Sequence, residues 1–147
     1  MATALETVLL QQHLTEVLAL PESCRWHLEK DDSVLLGVTV VLHSTKAPQD
    51  LYKARLNWTD YSKPVSLKFL NMNTGVDNDA MAWPDFFGSR PQAFLCCVPY
   101  TAEGHVLHPE WAVQPQTRFD EPENPLLYVL LTLQHALDTT YKGRYHA

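Results

Sequence analysis

The stretch LNWTDYSKPVSLKFLN, residues 56–71, holds two β-like blocks around a polar turn. Trp58 closes the first block, Tyr61 and Pro64 occupy the turn, and VSLKFLN opens the second with the β-branched and aromatic residues that suit a pleated, half-buried surface. The same texture extends upstream through LYKARLNW, SVLLGVTVVLH and CRWHLEK, the last beginning at Cys24. Asp31-Asp32-Ser33, APQD and TDYSKP separate the blocks as short polar turns. Four strands joined this way predict an antiparallel meander, one sheet with one covered face.

Before the meander, Thr3 with Glu6 three residues on makes a capping-box pattern, and Leu10, Leu14, Val17 and Leu18 follow at helical spacing before Pro21. After Asn71 the periodicity fails for about fifty residues rich in Asn, Asp, Gly and Pro. A loop region of that length inside a compact domain is either functional or holds elements that the periodicity does not reveal. Order returns at Asn124, a helix cap, with Pro125 in the first turn and Leu126, Leu130, Leu133 and Leu137 at helical spacing. Gly143 is expected to end this helix, with Lys142 and Arg144 complementing its dipole in preference to a docking role. The fold class predicted is α+β: an N-terminal helix, a four-stranded meander, a long loop region and a C-terminal helix, in one domain over residues 1–147.

At 147 residues the chain can bury a core without staples. Its 17 acidic against 11 basic residues, a formal charge of −6, argue against a nucleic-acid partner. The longest apolar runs are too short for a membrane span, and the start lacks the pattern of a secretory signal. Three cysteines, an odd number, make no disulfide framework. A soluble, cytoplasmic protein without a membrane partner is the expectation.

Chemistry concentrates in QAFLCCVPYTAEGHVLHPEW, residues 92–111. Cys96 and Cys97 read as buried small hydrophobes, as ligands, or as a thiol that reacts. His105 and His108 read either as surface loop residues or as groups that orient a donor and lower the thiol pKa through an imidazolium. A zinc ion held by one cysteine and both histidines is a further reading. It is disfavoured because adjacent cysteines point to opposite sides of an extended strand. The island Trp83-Pro84-Asp85-Phe86-Phe87 forms a partner-binding edge or folds under the sheet.

The order helix, meander, irregular segment with a cysteine, terminal helix resembles the ubiquitin-conjugating enzymes, above all the divergent bacterial ones encoded beside an activating enzyme, a ubiquitin-like modifier and a deconjugating peptidase. VSLKFLN resembles the strand after their proline-containing turn, and FLCC resembles the sequence around their catalytic thiol. The resemblance implies a conjugating transferase whose thiol takes the modifier as a thioester from an activating enzyme and passes it to an amine on a target protein, with no metal or organic cofactor. Aligning Leu95-Cys96-Cys97 with the family's Ile-Cys-Leu makes Cys96 the nucleophile and packs Cys97 inward, the preferred register. A one-residue shift makes Cys97 reactive with Val98 inside. The residues implicated are Cys96, Cys97, His105 and His108. The resemblance also implies that the outer face of the first helix, with Glu6, Gln12 and Glu16, meets the activating enzyme. The family's His-Pro-Asn before the cysteine is missing, since those positions read FFGSRPQA, and His108-Pro109 lies downstream. A catalytically inactive member that scaffolds or binds the modifier is the alternative.

Overall fold

In the computed structural model, which describes residues 3–147, α1 (Ala4–Leu18) begins at Thr3. The Thr3 hydroxyl accepts from the Glu6 N–H, and the Glu6 carboxylate accepts from the Thr3 N–H. This capping box satisfies two backbone donors that a helix start leaves open. Leu10, Leu14 and Val17 are buried, whereas Leu18, expected on the same stripe, is exposed at the last turn. Pro21–Arg25 is a short 3-10 helix, which corrects the expected first strand: Cys24 is exposed on this turn, and pairing begins only at His27.

The four blocks form one antiparallel sheet in the order β1 (His27–Lys30), β2 (Gly37–Leu42), β3 (Tyr52–Asn57), β4 (Ser66–Leu70). Side chains alternate faces along a strand, so register decides which apolar residues meet. Val38 faces Leu56, Val40 faces Ala54 and Leu42 faces Tyr52. Leu56 and Ala54 then face Leu67 and Phe69 on β4. All of these are buried, and a one-residue slip would turn the whole set to the other side.

Residues 71–124 hold only fragments of regular structure: β5 (Pro84–Asp85), β6 (Ser89–Arg90), β7 (Leu95–Cys96) and α2 (Ala102–Leu107), with 3-10 turns between them. Trp83 and Phe86 fold under the sheet, with ring centroids 5.3 and 6.3 Å from Phe69, while Phe87 stays exposed. The last long helix, α3 (Pro125–Thr139), is capped by the Asn124 side chain, which accepts from the Leu127 N–H. Leu126, Leu130, Leu133 and Leu137 are fully buried and join the α1 stripe and the inner sheet face in one cluster. Each such leucine contributes about 1.5–3 kcal/mol by leaving water.

Helix α3 stops at Thr139 rather than at Gly143. Gly143, at φ 110°, lies in β8 (Gly143–Arg144), which pairs with β5. Arg144 does not serve the helix dipole. Its guanidinium sits 4.4 Å from the Tyr52 ring and donates to the carbonyls of Met81 and Leu51, stapling the C-terminal segment to the sheet.

The carboxylates expected on the outer face of α1 are engaged within the chain. Glu6 accepts from the Tyr61 N–H at 2.6 Å, and the Tyr61 hydroxyl lies 2.7 Å from His13 Nδ1. Glu16 accepts from Gln12 and from the Asn124 amide. Reversing the charge of Glu6 would therefore leave the partly buried Tyr61 N–H unpaired as well as alter the surface. The fold is α+β, and among the described residues no helix is long and apolar enough to cross a membrane.

Candidate functional site

The cysteines sit on a small hairpin in which Ser89 pairs with Cys96 and Arg90 with Leu95. The Cys97 N–H extends the pairing by donating to the Gly88 carbonyl at 2.7 Å. Gly88 has φ 94°, and a Cβ there would lie 2.3 Å from the Val98 side chain, so this close approach needs glycine. Phe94, at the other end of the hairpin, adopts a left-handed backbone at φ 57°. Its carbonyl accepts from Lys68 Nζ at 2.7 Å, and this bond helps hold an otherwise costly conformation.

Alternation along this strand turns Cys96 into the core, with 0% of its surface exposed. Cys97 is partly exposed and Val98 is buried. The register that puts Cys96 outward and Cys97 inward is thus corrected as to packing. The inward position is the one paired with Ser89. Burial pushes the Cys96 thiol far above its ordinary range, the nearby Glu103 carboxylate adds to this, and Lys68 offsets only part. A thiol so held stays protonated and out of reach, which leaves Cys97 as the accessible thiol of the pair.

Behind the cysteines, the Thr101 hydroxyl lies 2.7 Å from the Cys96 carbonyl and 3.0 Å from that of Val98, and accepts from the Gly104 N–H. Thr101 thereby caps α2. Gly104 lets that helix sit directly on the cysteine segment: a Cβ would meet the Val98 carbonyl at 2.6 Å and the Trp111 ring at 2.8 Å. Glu103 secures the other side, accepting from the Ser66 hydroxyl and the Leu67 N–H of β4.

The histidines are engaged with their own loop. His105 Nε2 lies 2.6 Å from the Pro99 carbonyl, and because a carbonyl only accepts, that nitrogen carries the proton. His108 stacks on Trp111 at 4.4 Å, with Nδ1 3.1 Å from Glu110. His105 meets the same tryptophan edge-on. Neither histidine shares a hydrogen bond with Cys96 or Cys97 among the described residues. Nor do the described residues include a group of three or more His, Cys, Asp or Glu side chains placed to hold a metal ion.

A groove of about 430 Å³ lies where the segment after the cysteines meets α3, lined by Val98 and Pro99, by Phe87, and by Tyr128, Thr132 and Ala136 of α3. Reading for nucleophiles and ligands alone passes over Thr101, Glu103, Lys68 and the two glycines that build this region. Thr101 did carry a readable signal, a cap residue three positions before Gly104. No family model, curated protein or solved structure matches the chain.

Proposed function

We propose that the chain is a carrier of the ubiquitin-conjugating type, with Cys97 as its thioester-forming residue. One observation carries this reading: an accessible thiol held on a tethered hairpin that follows a four-stranded meander and precedes the terminal helix. The Cys97 thiolate attacks the carbonyl of the thioester that links a ubiquitin-like modifier to its activating enzyme. A sulfur–carbon bond forms, and the activating enzyme's thiolate leaves. An amine of the target then attacks the new thioester; Cys97 departs as thiolate and the amine's proton passes to solvent. One thioester replaces another, so the exchange involves no net oxidation.

The test is to mix the protein with its cognate activating enzyme, modifier and ATP. An adduct that thiol reductant removes is expected. It should disappear in Cys97→Ala and persist in Cys96→Ala and Cys24→Ala, whereas an adduct that survives Cys97→Ala refutes the assignment of Cys97. The inactive alternative draws on the lack of any Asn between Asn78 and the cysteines. Under it, the modifier or the activating enzyme binds, and no adduct forms at any concentration.

A further inference from the structure

We infer that Thr101 is the positioning residue that decides which of the two adjacent thiols is presented to solvent. Its bearing on thioester loading rests on the carrier reading above; the selection of the thiol does not. Two adjacent residues on a strand face opposite ways, and a single slip or peptide rotation exchanges them. A pair of equal side chains offers no preference of its own, because both positions are cysteine and burial favours either thiol alike. The choice therefore falls to what flanks the pair: buried Val98, and the backbone on each side of Cys97.

That backbone is fastened by side-chain and main-chain bonds, among them one from the Thr101 N–H to the Val98 carbonyl at 3.0 Å. The Thr101 hydroxyl reaches the carbonyls of Cys96 and Val98, which bracket Cys97, at 2.7 and 3.0 Å. The Cys97 N–H donates to Gly88 at 2.7 Å. One hydroxyl has one proton, so the shorter contact, to Cys96, is the main bond. The oxygen also accepts from the Gly104 N–H, which couples the cysteine peptide to the start of α2. Thr101 is itself anchored, because its neighbours exchange hydrogen bonds with Val65 at the entry to β4: Val65 N–H to the Tyr100 carbonyl, and Ala102 N–H to the Val65 carbonyl. With 0% of Thr101 exposed, no solvent stands ready to replace its hydroxyl. Valine at 101 keeps the shape but removes both the donor and the cap acceptor. Serine keeps them.

The test is time-resolved iodoacetamide labelling of the full chain, read at each cysteine by peptide mass spectrometry, with no modifier present. In the wild type, Cys97 and the exposed Cys24 should label quickly. Cys96 should label slowly, at a rate that climbs with urea as global unfolding does. In Thr101→Val the Cys96-to-Cys97 labelling ratio should rise by at least about ten-fold, the scale expected for leaving a buried acceptor unpaired. Thr101→Ser should restore the wild-type ratio, and Leu137→Ala, a core variant that leaves Thr101 intact, should label more like wild type than like Thr101→Val. An unchanged ratio in Thr101→Val, or the same change in Leu137→Ala, overturns the inference. If Thr101→Val does not fold, the wild type still decides: Cys96 labelling as fast as Cys97, independent of urea, overturns it. A shifted ratio in a protein that never loads modifier supports the positioning role of Thr101 and removes the carrier reading; loading on Cys97 with an unshifted ratio does the reverse.

Discussion

The sheet of residues 27–70 and the segment of residues 84–104 achieve order in different ways. In the sheet, backbone pairs with backbone, and Val38, Val40, Leu56 and Phe69 are interchangeable members of one apolar face. In the segment the paired stretches are two residues long, and the chain is held by single side chains that reach backbone atoms: Lys68 to Phe94, Glu103 to Leu67 and Thr101 to Cys96. Close approaches at Gly88 and Gly104 complete it. A ladder spreads the cost of a substitution over many equivalent contacts, whereas a tether concentrates it in one bond. Damage to the core should thus lower global stability, and damage to a tether should loosen the thiol first.

The hardest test of that contrast is Leu130→Ala. This leucine is fully buried on α3, and its truncation should cost about 2–5 kcal/mol in denaturant unfolding. Cys97 alkylation under native conditions should change little. A large change in alkylation at low denaturant would mean that the two regions open together and that the division is wrong.

Gly104→Ala should cost less globally, roughly 1–3 kcal/mol for forcing a methyl against the Val98 carbonyl and the Trp111 ring. Its effect on thiol labelling should nevertheless exceed that of Leu130→Ala. If the order of the two labelling effects is reversed, the segment is not governed by local close packing.

The smallest effect concerns a tether inside the regular half, where Asp138 of α3 accepts from the Thr45 N–H and hydroxyl and from Gln134, with Arg25 3.5 Å away. Burial raises its pKa, but these hydrogen bonds and the nearby cation outweigh it, and the carboxyl titrates below its ordinary range. A depressed carboxylate stabilises the folded state above its unfolded pKa of about 3.9, and that contribution is lost as pH falls through the lower folded value. Asp138→Asn should therefore be less stable than the wild type at neutral pH by about 1 kcal/mol or less, given solvent screening, and the gap should close in acid. Parallel stability curves down to the acid limb would deny the carboxylate this role.

What was readable in advance follows from periodicity. The blocks of β2, β3 and β4 and the stripe Leu126, Leu130, Leu133, Leu137 are legible because burial on one face imposes a repeat of two or of three and four. The caps Thr3 and Asn124 were equally legible, since a cap acts on a backbone N–H two or three residues away. Gly143 misled because a glycine past a helix also serves a turn into a new strand, and only the pairing with Asp85 distinguishes the two.

The sequence by itself determined the α+β order, the one apolar face of the sheet and the placing of two adjacent cysteines between sheet and last helix. Tertiary structure alone decided that Cys96 goes in and Cys97 comes out, that Glu6 reaches Tyr61, and that His105 and His108 serve Pro99, Trp111 and Glu110. The physical reason is range. Periodicity and capping are set within a few residues along the chain, while the orientation of a short strand without a repeat is set by partners such as Gly88, Thr101 and Lys68 that only folding brings together.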